Sequence, residues 1–122
     1  MTKKTAILGA STNPNRYAFL AAERLKASDN AFVPIGIKKG TVLGEEILDL
    51  RECPQVEGID TVTMYIGSKN QHEWEDYVLS LNPRRIIFNP GTENPSLKEK
   101  AELMGIETIA ACTLVMLSVG AY

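Results

Sequence analysis

Short apolar runs alternate along this chain with polar, glycine-punctuated stretches and with segments whose apolar positions recur at helical spacing. Thr5 to Leu8 is a run closed by Gly9 and predicts a first strand; Ala18, Ala21, Ala22 and Leu25, at i, i+3, i+4 and i+7, predict a helix behind it. "AFVPIGI" at 31–37 predicts a second strand. From Lys38 to Asp60 the pattern breaks up around Gly40, Gly44, Pro54 and Gly58. This long connection reads as an extended excursion with a short strand near Val42 and one helical turn near Leu48, of the kind that is often functional. "TVTMYI" at 61–66 is the third strand, followed by a helix from Asn70 to Leu81 on which Trp74, Val78 and Leu81 share a face. Asn70 or Ser68 caps that helix and Pro83 lies just past its end. "RIIF" at 85–88 is the fourth strand. Asn94 then caps a helix with Pro95 at its first position, Leu97, Ala101 and Met104 as its buried stripe, and Gly105 as its C-terminal cap. "ETIAA" at 107–111 is a fifth strand, before a last apolar helix that begins near Thr113.

Strands alternating with amphipathic helices imply an α/β fold. The expected architecture is a Rossmann-like, doubly wound, mainly parallel five-stranded sheet in a three-layer α/β/α arrangement with right-handed crossovers. No repeat, low-complexity segment or linker divides residues 1–122, so one domain is expected. Ligands of such sheets sit at the carboxyl ends of the strands. The functional inventory is therefore Gly9 to Arg16 after the first strand, Gly36 to Gly40 after the second, Gly67 to Asn70 after the third, Asn89 to Asn94 after the fourth and Cys112 after the fifth.

Composition narrows the classes. With 44% hydrophobic and 23% charged residues the chain is an ordinary globular one, and its net charge of −2 argues against a nucleic-acid or membrane-surface binder that relies on a broad basic face. Cys53 and Cys112 have no metal-type or CxxC spacing, and Met1 to Thr5 carries no leader pattern, so a reducing cytoplasm is the expected compartment. No apolar run is long enough to span a bilayer. The apolar "TLVMLSVGAY" at the end packs on this domain or on a second copy, which makes a homodimer through this segment the protein partner to consider.

The strand ends carry glycines, small polar residues, lysines and an arginine. Gly9 permits a sharp turn, Ser11, Thr12 and Asn13 bring hydroxyls and an amide, and Arg16 stands where the helix begins. Free N–H groups and the positive dipole at a helix start favour an anion, and an arginine there adds a bidentate contact to phosphate. The plain alternative is a strand-to-helix connection with a good cap. A dinucleotide fingerprint G-x-G-x-x-G would need two more glycines and an acid closing the second strand for the ribose diol. Here Gly9 stands alone and Lys38 and Lys39 occupy the acid's place. Lysines there suit a phosphate on the ribose, which leaves NADP or coenzyme A, against a simple solvated turn. No paired carboxylates or Ser/His/Asp set offers a general acid or base, and the one histidine, His72, reads as a surface helix residue.

"GASTNPNRYA", "VPIGIKKGTVLGEEILDL" and "IDTVTMYI", with Asn94 and a cysteine after the last strand, together resemble the small stand-alone CoA-binding proteins of bacteria. Their Rossmann-like domain is similar to the CoA-binding domain of the succinyl-CoA synthetase α subunit. The resemblance runs over almost the whole chain. It implies that Gly9, Ala10, Ser11, Thr12, Asn13, Arg16 and Tyr17 hold the pyrophosphate region, and that Lys38 and Lys39 meet the ribose phosphate, with Gly40, Val42 and Leu43 beside the adenosine. Ile66 and Gly67 would flank the adenine or the pantetheine arm, and Pro90, Gly91 and Thr92 would line the far end of the groove. Cys112 reads as a small buried apolar residue. The leading expectation is a module that binds coenzyme A or an acyl-CoA without catalytic machinery. The alternatives are a small NADP-linked or acyl-CoA-processing enzyme completed by a partner, and an interaction protein with a vestigial nucleotide site.

Overall fold

Alternate residues of the first strand serve two different cores. In a computed structural model that describes residues 3–122, Ala6 and Leu8 of β1 (Thr5–Leu8) point into one apolar cluster and Ile7 into another. Such two-sided burial is what a central strand of a doubly wound sheet requires. Around it run β2 (Phe32–Gly36), β5 (Leu48–Asp49), β6 (Thr61–Met64), β7 (Arg85–Phe88) and β8 (Glu107–Ala110), all parallel, in the order β5-β2-β1-β6-β7-β8. The register aligns Thr5, Thr61, Arg85 and Glu107 in one row and Ile7, Thr63, Ile87 and Ile109 in another. Helices α1 (Tyr17–Ala27) and α4 (Thr113–Ser118) cover one face; α2 (Glu75–Ser80) and α3 (Pro95–Leu103) cover the other. Met1 and Thr2, within the Met1 to Thr5 stretch that carries no leader pattern, lie outside the described residues.

The first helix forms as its spacing predicts: Ala18, Ala21, Ala22 and Leu25 are all buried. Asn94 caps α3 by accepting the Leu97 N–H at 3.2 Å, with Pro95 at the first helical position. The helix closes in a Schellman turn: Gly105 (φ +79°) donates to the Glu102 carbonyl and Ile106 to that of Ala101, each at 3.0 Å.

Three expectations are corrected and one is extended. The sheet has six strands, because Leu48–Asp49 pairs in parallel with Ile35–Gly36 where a helical turn was expected. The helical turn follows at Leu50–Glu52, started by the Asp49 carboxylate accepting the Arg51 N–H at 2.9 Å. The short strand expected near Val42 is present, as half of a small antiparallel hairpin, β3 (Thr41–Val42) and β4 (Glu45–Glu46), whose turn residues Leu43 and Gly44 both have positive φ. The helix expected from Asn70 to Leu81 is regular only from Glu75; before it come 3₁₀ turns at Ser68–Asn70 and His72–Trp74, and neither Ser68 nor Asn70 caps it. Ser68 instead bonds to carbonyls of the β7–α3 loop. Finally, Met104 is exposed, because α3 stops at Leu103 and Ile106, beyond the turn, fills the buried slot.

The apolar C-terminal segment packs against its own domain. Leu117 and Tyr122 join the α1-side core, and the Tyr122 ring lies 4.4 Å from the Arg85 guanidinium and 5.2 Å from the Lys3 ammonium. Val115 and Val119 face outward. Cys112 is half-buried just before α4 and Cys53 is exposed. Among the described residues no helix is long and apolar enough to cross a membrane.

Candidate functional site

The strand order reverses at β1: the connection to β2 leads to one side of β1 in the sheet and the later return to β6 leads to the other. Loops at such a switch point part and leave a crevice at the carboxyl ends of the strands. A cleft of about 900 Å³ opens there. It is lined by the β1–α1 loop from Gly9 to Asn13 with Arg16, Tyr17 and Ala18, by Gly36 to Lys38 after β2, by Leu50, by Tyr65 to Gly67 with Asn70, Glu73 and Trp74 after β6, and by Pro90 to Thr92 after β7.

The β1–α1 loop is anchored at its start and open at its middle. Gly9 and Ala10 N–H donate to the Ile35 carbonyl at 2.9 and 3.1 Å. Gly9 has φ +94°, and a Cβ there would meet the Tyr65 carbonyl carbon at 3.0 Å, so only glycine lets this turn close against β6. The Asn13 N–H bonds back to Ser11 Oγ and the Asn15 N–H to Asn13 Oδ1, which curls the loop on itself. Ser11 and Thr12 N–H have no acceptor among the described residues. Arg16 is the N-cap of α1 but makes no side-chain cap bond, so the first helical N–H groups, at Tyr17 and Ala18, also lack one. Arg16 and Lys38 form no ion pair among the described residues. Four donors and two uncommitted cations therefore lie on one side of the cleft, an arrangement whose composition favours an anion. Tyr17 and Ile37, 71% and 57% exposed, bring apolar surface to the same mouth.

The opposite wall is built differently. Gln71, 1% exposed, donates from Nε2 to the carbonyls of Ile66 and Thr92, both at 2.7 Å, and so ties the β6–α2 loop to the β7–α3 loop. Its Oε1 accepts from Asn94 Nδ2, which also donates to Glu75 at 2.9 Å. Glu75 is buried, and its carboxylate further accepts from Ser96 and Lys100 and meets His72 Nδ1, each at 3.0 Å. Burial pushes this carboxyl up, but the bonds from Asn94, Lys100, Ser96 and His72 outweigh it and bring it down to about 2. Beneath the cleft, Asn89 joins three elements, donating to Thr63 Oγ1 and the Met64 carbonyl and accepting the Thr113 N–H at 2.8 Å. Burial pushes the Tyr65 phenol up to about 12, and its hydroxyl has no hydrogen-bond partner among the described residues.

Thirteen of the seventeen sequence-predicted site residues line this cleft: Gly9 to Asn13, Arg16, Tyr17, Lys38, Ile66, Gly67 and Pro90 to Thr92. Lys39, Gly40, Val42 and Leu43 are outside its lining. Lys39 is exposed, whereas Val42 is buried in the α1-side core with Leu43 packed on that core. Gly40 packs against Thr12, where a Cβ would stand 2.5 Å from the Thr12 methyl. The strand-end inventory did not include Ala18, Leu50, Tyr65, Glu73 and Trp74, which also line the cleft. Trp74 lies on the predicted apolar stripe and packs on the core as well, so its spacing alone marks it as core. His72 is a surface residue, with its side chain 73% exposed. No group of three His, Cys, Asp or Glu among the described residues is placed to hold a metal ion.

Residues 3–118 match the model of a family described as "CoA binding domain". No curated protein matches the chain. Among solved structures, a crystal structure of an uncharacterized protein is 55% identical, covers 100% of this chain and 99% of its own, and superposes with a TM-score of 0.96. A Thermus thermophilus protein (19% identical, covering 99% of this chain and 91% of its own) and a hypothetical protein from Pyrococcus horikoshii (24% identical, 97% and 83%) share the fold, each with a TM-score of 0.83.

Proposed function

The chain belongs to the CoA binding domain family, and from that premise we propose that it binds coenzyme A, free or acylated, and has no catalytic activity of its own. The observation that carries this reading is the convergence of the unpartnered Ser11 and Thr12 N–H groups, the start of α1, Arg16 and Lys38 on one side of the cleft. The β1–α1 loop and Arg16 hold the pyrophosphate. Lys38, at the end of β2, meets the ribose phosphate, and Lys39 adds to its field. The adenosine end lies toward β2 between Tyr17 and Ile37; Gly40, Val42 and Leu43 support the loops beneath it. With the diphosphate at the end of β1 and the adenosine toward β2, the pantetheine arm runs the other way, over β6 and β7. A volume of about 900 Å³ is at the upper end of what small-molecule clefts offer and suits a ligand of that length.

The non-catalytic reading is supported by what two titratable groups near the cleft, Glu75 and Tyr65, are committed to. Glu75 is saturated by four donors and ionised at any ordinary pH, and the Tyr65 phenol is held far above neutrality. Neither suits general acid–base work near pH 7.

Isothermal titration with coenzyme A, dephospho-coenzyme A and NADP tests the reading. Coenzyme A is expected to bind about tenfold more tightly than dephospho-coenzyme A, the worth of one charge-assisted contact. No binding at millimolar coenzyme A, or tighter binding of NADP, overturns it. Turnover of an acyl-CoA or of NADPH by the purified protein overturns the non-catalytic part. Mass spectrometry of small molecules released from natively purified protein is expected to find coenzyme A or a thioester of it.

A further inference from the structure

The two walls of the cleft differ in how their shape is held. On the β1–β2 side the groups that would meet a ligand are side chains and N–H groups free of internal partners. On the β6–β7 side the lining is carried by two loops, Tyr65 to Trp74 and Pro90 to Thr92, and loops have no intrinsic reason to keep one shape. A side chain that is itself almost fully buried holds it here. Both Nε2 hydrogens of Gln71 are used at 2.7 Å, one on the Ile66 carbonyl and one on that of Thr92, residues 26 positions apart that both line the cleft. The Gln71 Oε1 is held at 3.1 Å by Asn94, and Asn94 in turn is fixed by Glu75 and by its cap on α3. A second tie nearby is Ser68 Oγ, which donates to the Glu93 carbonyl at 2.6 Å, with the Gly91 carbonyl at 3.2 Å.

We propose that Gln71 is a positioning residue for ligand binding: it sets the spacing of the Ile66 and Thr92 backbone segments, and thereby the track along which the part of the ligand beyond the diphosphate lies. This rests on the coenzyme A reading, in which that part is the pantetheine arm. Gln71 touches the ligand nowhere. Its contribution is preorganisation, which saves the ordering cost of two loops when the arm binds.

The ligand can be divided to test this. Adenosine 3′,5′-bisphosphate lacks the pantetheine arm and meets only the β1–β2 side. In Gln71→Ala, coenzyme A affinity is expected to fall by about tenfold, while that of adenosine 3′,5′-bisphosphate changes by less than about twofold. Equal losses for both ligands, or an unchanged coenzyme A affinity in the folded variant, overturn the inference alone. No coenzyme A binding by the unsubstituted protein overturns the functional reading and this inference with it. If Gln71→Ala does not fold, Ser68→Ala loosens the same pair of loops from a half-buried position. It is expected to weaken coenzyme A by about threefold and to leave the bisphosphate unchanged, and the absence of that selectivity overturns the proposal.

Discussion

Replacing Glu75 by Gln removes one charge from the most heavily bonded carboxylate of the fold. Glu75 is 2% exposed and is met by Asn94, Ser96, Lys100 and His72. Its carboxyl falls from 4.5 to about 2 on folding. The difference of about 2.5 units, at about 1.4 kcal/mol each, corresponds to about 3 kcal/mol of stability. Because the folded value lies below the unfolded one, that stability is fully present above pH 4.5 and is lost as pH falls toward 2. Lys100 and His72 are half or more exposed, so water takes over their bonds when the carboxylate is gone. The loss in Glu75→Gln at pH 7 should therefore stay near about 3 kcal/mol, below the upper range for breaking a wholly buried pair. Urea unfolding of both proteins at steps from pH 7 to 2.5 measures the difference. Asp49 and Asp60, also held below the usual carboxylate range by bonds to Arg51 and Arg84, titrate equally in both and cancel. The expected result is a gap of about 3 kcal/mol at neutral pH that closes steadily below pH 4.5. Two stability curves that stay parallel from pH 5 to 2.5 would refute the reasoning.

Gly9→Ala forces a side chain onto a backbone with φ +94° and onto the Tyr65 carbonyl 3.0 Å away; urea unfolding is expected to show a loss of about 1–3 kcal/mol, with weaker coenzyme A binding in titration. Tyr122→Ala removes the ring beside Arg85 and Lys3 and should cost about 2–4 kcal/mol in the same unfolding assay. Coenzyme A affinity should not change, because Thr5 and Arg85, which Tyr122 meets, are the first residues of their strands, at the end of the sheet away from the cleft.

Much of this site was legible because its parts are local. A turn closed by Gly9, hydroxyls behind it and an arginine at the helix start are neighbours in sequence, and their chemistry depends on that adjacency. The buried face of α1 was legible for the same reason, since helical spacing alone places Ala18, Ala21, Ala22 and Leu25 together. What stayed hidden depends on distant partners. Two residues such as Leu48 and Asp49 carry no periodicity; they are a strand because Ile35 and Gly36 lie beside them. Gln71 sits in a polar stretch that predicts a helix start, and a carbonyl 21 residues later joins that of Ile66 in turning its amide inward. Helical spacing assigns Trp74 to the core, which is half of its role; its other edge faces the cleft because the chain ahead of it follows tertiary bonds in place of helical ones.

The two ends of the sheet divide the work of the molecule. At the amino ends of the strands, Tyr122, Arg85, Lys3 and the Arg84–Asp60 pair tie distant parts of the chain together, and none of these residues lines the cleft. At the carboxyl ends, the β1–β2 side of the cleft keeps Arg16, Lys38 and the Ser11 and Thr12 N–H groups free of internal partners among the described residues, which lowers its contribution to stability and suits it to the proposed anion. The Gln71–Asn94–Glu75 chain lies at the carboxyl ends yet makes its bonds internally, so it serves both purposes. Substitutions at Tyr122 should then change stability without affinity, and those at Arg16 or Lys38 affinity without stability. Those along the chain from Gln71 to Glu75 should change both, with the affinity loss confined to ligands that carry the pantetheine arm.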